Sequence, residues 1–442
     1  FLTGSLRYDA TSKLYYKNNS GVFPAASASW KLSSEKFFPK QSAVSLLKFR
    51  ASWGQIGNVA AVDNYSYNVK LQQDPWFTFL GNAGQTPIQG LGLATMANRN
   101  LTWETSEQID LGLDANFFND QLNFTFDYFV KDTKDLIDQI TVPSVGGIKE
   151  APLGNIGSVR NSGIEMSLSY NGKVNQVNYM LTGNFSTLKN EVTNLGDKDR
   201  IAHTQNVRSL APLQSAVGEA WYSYYLIKTD GLFRSQEEID AYAKDGKLIQ
   251  PNAQPGDIKF VDANGDGVID DQDRMYMGSY NPTYTYSLSG SMDWKGFDFG
   301  FQLQGVAGNK IFNGSKAMTY PADQGWNISK DLLDSYTYNP NSSIPRLAMD
   351  DKNSNYSRVS DFYLEKGNYL RLKNLTVGYT LPKSVLTKVG CPDSRIRVYA
   401  SGENLFTLTK YSGMDPEVGN NGLDGGRYPV SRVFTLGLNV NF

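Results

Sequence analysis

The sequence has almost none of the residues that build common catalytic and metal centres. It contains one cysteine, Cys391, and one histidine, His203. A single thiol excludes an internal disulfide and a thiolate zinc cluster, and a single imidazole excludes a multi-histidine metal site. A serine hydrolase would depend on His203 alone. The sequence also has no Walker A, dinucleotide, zincin or nucleophile-elbow motif.

Net charge and long apolar runs are also scarce. Lys and Arg number 42 against 44 Asp and Glu, a formal charge of −2, which argues against a nucleic-acid binder. Mean hydropathy is −0.41, and no run reaches the ~18 apolar residues of a membrane helix. The first residue is Phe1 and no signal peptide is visible, so we expect a removed segment or a longer parent chain.

Aromatic residues are plentiful, at 13%, and they recur with period two. Such alternation in segments of about ten residues predicts β-strands. The final segment is typical, since it sets these apolar residues against polar neighbours: Phe434, Leu436, Leu438, Val440 and Phe442. The opposite face of the strands carries full charges, among them Lys48, Arg50, Arg395 and Arg397. An aqueous lumen allows such charges, although an ordinary antiparallel sandwich also alternates.

Connection lengths favour a membrane barrel over a soluble sheet. We predict strands near 1–8, 24–33, 46–55, 105–117, 121–131, 161–171, 177–187, 283–294, 297–306, 367–380, 394–406 and 432–442. Short connections then alternate with longer ones, and the longest lie near 56–104, 188–282 and 307–366. Alternation of short turns and long loops is the layout of outer-membrane barrels. The fold class is therefore predicted as all-β, a transmembrane antiparallel β-barrel with about 12 strands in this sequence.

Two segments complicate this prediction. In 367–380 the apolar residues change from even to odd positions near Lys373 and Asn374, which predicts a β-bulge there. The segment 221–227 has strand-like composition, but we assign it to the long loop.

Several stretches resemble one family. They are GVFPAASASW (21–30), LKFRASWGQIGN (47–58), NLTWETSEQIDLG (100–112), GNIGSVRNSGIE (154–165), GDIKFVD (256–262), NLTVGYTLP (374–382) and GENLF (402–406). With the terminal Phe442, they resemble the C-terminal part of the SusC/RagA-type TonB-dependent outer-membrane transporters of the Bacteroidota. The likeness is spread over nearly the whole chain, 1–442.

The resemblance implies a function and its partners. Family members have a plug and a barrel of about 22 strands, so this sequence would be the C-terminal half of that barrel without the plug. We expect a multi-pass protein of the cell outer membrane that imports oligosaccharides or peptides. The resemblance also implies that a SusD-like surface lipoprotein covers the outer loops and that TonB acts through an N-terminal segment missing here. We expect no enzymatic activity.

An acidic segment in the longest loop has the spacing of a calcium-binding loop. Oxygen ligands at loop positions 1, 3, 5, 7, 9 and 12 with glycine at position 6 define that pattern. The corresponding residues are Asp262, Asn264, Asp266, Val268, Asp270 and Asp273, with Gly267 as the glycine. We predict structural Ca²⁺, although Asp at position 12 is shorter than the usual Glu. The alternative is an acidic turn without metal.

Two further sets of residues are functional candidates. Aromatic residues in the long loops are candidates for contact with substrate, and the alternative for each is loop packing: Trp76, Trp221, Tyr222 and Trp326. The alternating apolar residues that end in Phe442 resemble the signal read by the barrel-assembly machinery. Phe442 could equally close an ordinary last strand.

Two other classes of protein remain open. One is an outer-membrane barrel enzyme, a lipase or protease, which would need His203 as its base. The other is a soluble, calcium-stabilised β-protein that binds glycans. A membrane barrel requires detergent and migrates faster on a denaturing gel before boiling than after it, whereas a soluble protein would do neither.

Overall fold

The computed structural model describes residues 1–39, 43–73, 76–77, 88–89, 92–140, 145, 148, 150–388 and 390–442. The chain forms two compact units. The first comprises Phe1–Asp120, Phe124–Glu165 and Lys189–Asp199. The second comprises Gln121–Asn123, Met166–Leu188 and Arg200–Phe442.

Long antiparallel strands dominate the structure. They are β1 (Leu2–Ala10), β2 (Ser20–Lys31), β3 (Val44–Asn58), β4 (Glu104–Phe117), β5 (Leu122–Gln139), β6 (Leu153–Val174), β7 (Val177–Thr187), β8 (Tyr284–Trp294), β9 (Phe297–Ala307), β10 (Tyr369–Thr380), β11 (Arg395–Thr409) and β12 (Val433–Asn441). These 12 strands follow one another in chain order along one hydrogen-bonded path, and Lys189–Asn194 pairs with β6 beside it. The all-β prediction is confirmed.

Local turn chemistry sets the register of the hairpins. In the β8–β9 hairpin, Trp294 pairs with Phe297 across a two-residue turn. Both turn residues have positive φ, +47° at Lys295 and +88° at Gly296. Tight hairpin turns of this kind match the twist of the flanking strands and favour glycine. The register then runs without a shift to Tyr284 and Ala307.

Each of the twelve predicted strands is present, but the alternation of connection lengths is weaker than predicted. β5 extends to Gln139 and β6 begins at Leu153, well beyond the predicted 131 and 161. Consequently, the connection between them is 140–152, only one residue longer than the turn at 32–43. The two strands continue past the alternating apolar segments, so hydrophobic parity marked only the first part of β5 and the later part of β6.

The predicted β-bulge is confirmed. Leu372 and Asn374 pair with successive partners on β9 while Lys373 is skipped. The register against β11 also shifts at this point, where Leu372 faces Phe406 and Asn374 faces Glu403. One extra residue reverses the side-chain parity of a strand, which explains why the apolar residues of β10 change face.

The longest connections contain secondary structure and a hydrophobic core. Their strands are Lys70–Gln72, Trp76–Phe77, Ile88–Gln89, Gly92–Thr95, Arg200–Ala202, Leu213–Ala216, Ser223–Ile227, Thr229–Leu232, Ala243–Lys244, Lys247–Leu248, Ile258–Phe260, Arg274–Ser279, Lys310–Asn313, Leu364–Lys366 and Leu423–Asp424. The helices are α1 (Gln236–Ala241), α2 (Gly314–Thr319) and α3 (Lys383–Lys388), and the 3₁₀ turns are Leu32–Ser34, Asp271–Asp273, Ala322–Gln324, Lys330–Asp334, Asp361–Tyr363 and Asn420–Gly422. In the described part of the chain, none of the helices is both long and apolar enough to cross a bilayer.

Residues 200–282, 308–368 and 410–432 of the second unit pack together, and we call them the outer-loop fold. Ser223–Ile227 is a strand with every residue buried, so assigning 221–227 to an irregular loop was wrong for these five residues. A short, continuous apolar run is typical of a strand buried on both faces. Tyr224 and Leu226 join Phe312, Tyr363 and other residues in the largest cluster of this core. Burial of each such side chain contributes about 1.5–3 kcal/mol.

Candidate functional site

One face of the long strands consists of uncovered apolar side chains. On β12, the exposed fractions are 76% for Phe434, 87% for Leu436 and 62% for Leu438. These residues are opposite Gly402, Ala400 and Val398 of β11. An apolar surface of this extent indicates contact with lipid or with another protein. In a soluble protein the same residues would form the core.

The other face of β3–β5 carries a charge network. The Arg50 guanidinium donates to both carboxylate oxygens of Asp114 at 3.0 Å and lies 2.8 Å from Asp127 Oδ1. The Lys48 ammonium lies 3.9 Å from Asp114. Gly112, which pairs directly with Arg50, leaves the space through which the guanidinium reaches β5.

A second arginine uses the same arrangement on β9–β11. Arg397 donates to both carboxylate oxygens of Asp298, at 2.8 and 2.5 Å. It does so across Gly378, whose backbone pairs with Asp298 and whose missing side chain leaves room for the contact. The sequence predicted that Arg50 and Arg397 lie on the strand face that lines an aqueous lumen. It did not show that each has an Asp partner two strands away.

A buried arginine anchors the segment 410–432 to β10. Arg371, only 2% exposed, contacts Asp415 at 2.6 Å and Glu417 at 2.5 Å. Lys373 adds a contact of 3.0 Å to Glu417. Burial opposes ionisation of Asp415, but the Glu417 amide and Arg371 together lower the pKa of its carboxyl. Sequence reasoning missed this cluster, although a charged residue within an apolar strand was a usable signal.

Polar side chains connect the two longest loops inside the outer-loop fold. Asp257 is fully buried and accepts from Arg346 Nε at 2.7 Å. Asn355 donates to the same Asp257 oxygen and accepts from the backbone amide of Ile258. The Gln250 side chain donates to the Ile258 carbonyl and accepts from the Phe260 amide. Buried polar groups that are this well satisfied favour one fixed arrangement of the loops.

The structure describes the surroundings of three of the four predicted substrate aromatics, Trp221, Tyr222 and Trp326. Trp221 and Tyr222 pack against His203, with ring centroids at 5.4 and 4.0 Å. Trp326 lies under the guanidinium of Arg208, 5.6 Å from Cζ to the ring centroid. Trp76 is in the short strand Trp76–Phe77, which pairs with Ile88–Gln89. Its side chain lies outside the described residues.

His203 is hydrogen-bonded to a serine that a substrate cannot reach. His203 Nε2 is 2.7 Å from Ser215 Oγ, and that oxygen also accepts from the Tyr222 amide. Ser215 is 0% exposed and His203 9%. A nucleophile must contact the substrate, so this pair stabilises the loop and does not supply hydrolytic chemistry.

The acidic loop is closed by hydrogen bonds from its own backbone. Asp262 accepts from the amides of Gly265 and Gly267 at 2.7 and 2.8 Å, and Asp273 accepts from Ala263 and Asp270 at 2.8 Å. The described residues contain no group of three or more acidic, His or Cys side chains placed to hold a metal. Calcium therefore stays a prediction for Asp262, Asn264, Asp266, Val268, Asp270 and Asp273.

A partly buried cation also lies close to the acidic loop. Arg358 donates to the Ile269 carbonyl at 2.6 Å. Burial lowers the pKa of its guanidinium, although Asp273 and Asp270 oppose that shift. The positive charge partly compensates these carboxylates and would compete with a bound metal ion.

Comparisons with known proteins agree with the uncovered apolar face and the paired charges behind it. Residues 1–234, more than half of the chain, match the family model described as "TonB dependent receptor-like, beta-barrel". The chain belongs to this family. TonB-dependent receptors are β-barrels of the outer membrane, so the apolar face of the strands is the face in contact with lipid.

Three known proteins illustrate what this chain is similar to. TonB-dependent receptor P3 of Formosa agariphila is 31% identical over 100% of this chain and 44% of its own length. TonB-dependent receptor SusC of Bacteroides thetaiotaomicron is 28% identical over 100% of this chain and 42% of its own. The RagAB peptide transporter structure superposes with a TM-score of 0.79 at 25% identity, over 99% of this chain and 45% of that one. The chain thus spans less than half the length of these relatives.

Proposed function

We propose that this chain is part of a TonB-dependent transporter that imports an oligosaccharide through the outer membrane. Family membership supports uptake through a barrel, and the observation that carries the proposal is the contrast between the two faces of the strands. Leu436 and its neighbours are exposed for lipid, while Arg50 and Arg397 are paired with carboxylates on the opposite face. A wall of this kind separates lipid from a polar path.

The outer-loop fold supports a role in capturing the substrate. Its buried clusters and polar network hold exposed side chains in fixed positions, which favours selective binding. A SusD-like surface lipoprotein is the proposed partner on this side. TonB is the proposed energy source, acting through a segment outside this sequence.

Deletion of the gene and measurement of uptake test this function. We expect loss of growth on, and loss of energy-dependent uptake of, at least one oligosaccharide, and recovery with the gene in trans. Uptake that persists when TonB is absent would contradict the proposal. Purification with an affinity tag should retain a surface lipoprotein, and recovery of the transporter alone under mild detergent would exclude a stable lid.

Peptide import is the second candidate, because the superposed RagAB structure is that of a peptide transporter. Growth on defined peptides as the nitrogen source distinguishes the two substrates. A hydrolytic barrel is disfavoured by the burial of Ser215. Loss of a measurable hydrolysis in His203→Ala would restore that possibility.

The last strand supports a role in barrel assembly. We propose that Phe434, Leu436, Leu438, Val440 and Phe442 present the assembly signal, and Phe442 is 99% exposed. Phe442→Ser should reduce the amount of folded protein in the outer membrane. An unchanged amount in the variant would reject this role.

A further inference from the structure

A polar pocket lies in the outer-loop fold between residues 208–210, 317–324 and 350–357. Its volume is about 220 Å³, and its rim includes Arg208, Asp323, Gln324 and Asp350. Pockets for drug-sized ligands have volumes of roughly 300–1,000 Å³. This one therefore suits a single ring of a longer molecule.

Arg208 occupies a backbone position that would favour glycine. Val207 and Leu210 exchange two backbone hydrogen bonds, at 2.9 and 3.0 Å, around a two-residue turn. Within this turn, Arg208 has φ of +57°. A residue other than glycine held in this region costs about 1–3 kcal/mol, and such residues concentrate at ligand sites. The turn alone would favour glycine at position 208, so the arginine side chain must be there for another reason.

The guanidinium of Arg208 organises one wall of the pocket. It donates to the Ala317 carbonyl at 2.6 Å and to Gln324 Oε1 at 2.5 Å. Its Cζ lies 5.6 Å from the centroid of the Trp326 ring. Trp326 is 57% exposed, yet its indole N–H is satisfied by the Met318 carbonyl at 2.9 Å. The tryptophan is thus held in position while much of its ring surface is open.

The charges around the pocket favour a neutral ligand. Arg208 is the cation on the rim, against the carboxylates of Asp323, Asp350 and Asp351. Lys352 lies 3.5 Å from Asp350 and compensates one of them. An anionic ligand would be repelled by the remaining negative charge. Planar guanidinium, carboxylate and carboxamide groups offer adjacent donors and acceptors for hydroxyl groups.

We propose that this pocket binds one ring of a neutral oligosaccharide, with a neighbouring ring stacked on Trp326. The inference rests on the proposed function and narrows it from oligosaccharides in general to uncharged ones. A peptide fits less well, because the rim offers neither an apolar cavity nor a strand edge for main-chain pairing.

Calorimetric titration of the detergent-purified, full-length transporter tests the ligand class. The probes are maltohexaose, cellohexaose and xylohexaose, with hexagalacturonate and a hexapeptide of Gly, Ala and Ser for comparison. We expect saturable binding of at least one neutral hexasaccharide and affinity at least about tenfold weaker for hexagalacturonate and the peptide. No binding of the neutral sugars, or equal binding of the acidic sugar or the peptide, would overturn the proposal.

Two variants test the position of the site. Trp326→Ala should weaken binding of the neutral hexasaccharide about tenfold, because stacking on the ring is lost. Arg208→Gly relaxes the turn, so it should fold at least as well as the parent and still lose affinity. Tyr338→Ala is the matched control, an aromatic residue 63% exposed in the same loop, and should bind like the parent. Parental affinity in both pocket variants would overturn the proposal.

Uptake measurements separate this inference from the proposed function. If the parent imports a neutral oligosaccharide and the pocket variants bind it with parental affinity, the pocket assignment is wrong and the transport function stands. If parent cells import no oligosaccharide at all, the proposed function itself fails.

Discussion

The long strands and the outer-loop fold use the same apolar residue types in opposite ways. Phe434 and Leu436 on β12 are largely uncovered, whereas Phe233, Phe260 and Tyr363 of the outer-loop fold are 0% exposed. The strands therefore rely on lipid to cover their apolar groups, and the outer-loop fold covers its own. One chain is thus adapted to two solvents, and its stability should respond to substitution in two separable ways.

The largest expected effect lies where the outer-loop fold is anchored to a long strand. Arg371→Met leaves Asp415 and Glu417 without their buried cation, so we expect a loss of about 3–5 kcal/mol for the segment 410–432. Trypsin should then cut at Lys410 and Arg427. The control Arg7→Met removes an exposed pair with Asp9 and should cost under about 1 kcal/mol. If the Arg371 variant resists trypsin as well as the parent protein does, the contacts of Arg371 are not needed to hold the segment 410–432.

A pair of glycines tests the packing of the outer-loop fold. Gly422 and Gly246 both have φ of +76°, but a methyl group on Gly422 would overlap Tyr224 and Tyr280, while Gly246 faces open space. Because backbone strain is the same, Gly422→Ala should destabilise by about 1–3 kcal/mol more than Gly246→Ala. Thermal unfolding of the outer-loop fold measures the difference. The long strands should be unaffected, so both variants should still migrate faster on a denaturing gel before boiling than after it. Similar losses in both variants would indicate that this core is loose.

Removal of calcium tests the acidic loop. If Ca²⁺ binds, a concentration 100 times its Kd would stabilise the loop by about 2.7 kcal/mol, and chelation should increase cleavage near Lys259 and Arg274. Cleavage that is the same with and without chelator would favour an acidic turn held by its own amides. Asp262→Asn should abolish any dependence on chelator.

A glycine on the charged face of the strands should have a smaller effect. A methyl group on Gly112 would displace the side chains of Arg50 and Asp127. Since flexible side chains can move, Gly112→Ala should cost about 1 kcal/mol more than Gly183→Ala, which meets no atom within 4 Å. The measurement is the temperature of preheating at which the protein no longer migrates faster on a denaturing gel than the boiled sample. Indistinguishable temperatures would mean that the Arg50 network adds no stability.

The smallest effect has the opposite sign. Burial raises the pKa of Asp361, although hydrogen bonds from Thr229 oppose the shift. The charged form is therefore costly in the folded state at pH 7, and this cost disappears as the pH falls below the usual value of the carboxyl. Asp361→Asn keeps an acceptor for Thr229 and should raise stability at pH 7 by about 1 kcal/mol or less. The gain should vanish near pH 4, and a loss at pH 7 would contradict the assignment.

Sequence patterns predicted the lipid-facing part of the molecule better than the part facing water. Alternation located the twelve long strands and the bulge at Lys373, since the side-chain period of a strand is fixed at two. It could not place Arg346 beside Asp257, because that contact depends on folding of two loops distant in sequence. The strand Ser223–Ile227 was also missed, although its continuous apolar run was a usable signal.

The contact between Ile258 and Asn355 has a consequence for the order of folding. The Ile258 amide donates to a side chain 97 residues further along the chain, and both β8 and β9 lie between them. The strand Ile258–Phe260 pairs with the earlier strand Thr229–Leu232, but it acquires its contacts with Asn353 and Asn355 only after that hairpin has been synthesised. Contacts of such long sequence separation form slowly. We expect the outer loops to cross the membrane unfolded and to reach their native state among the last parts of the molecule.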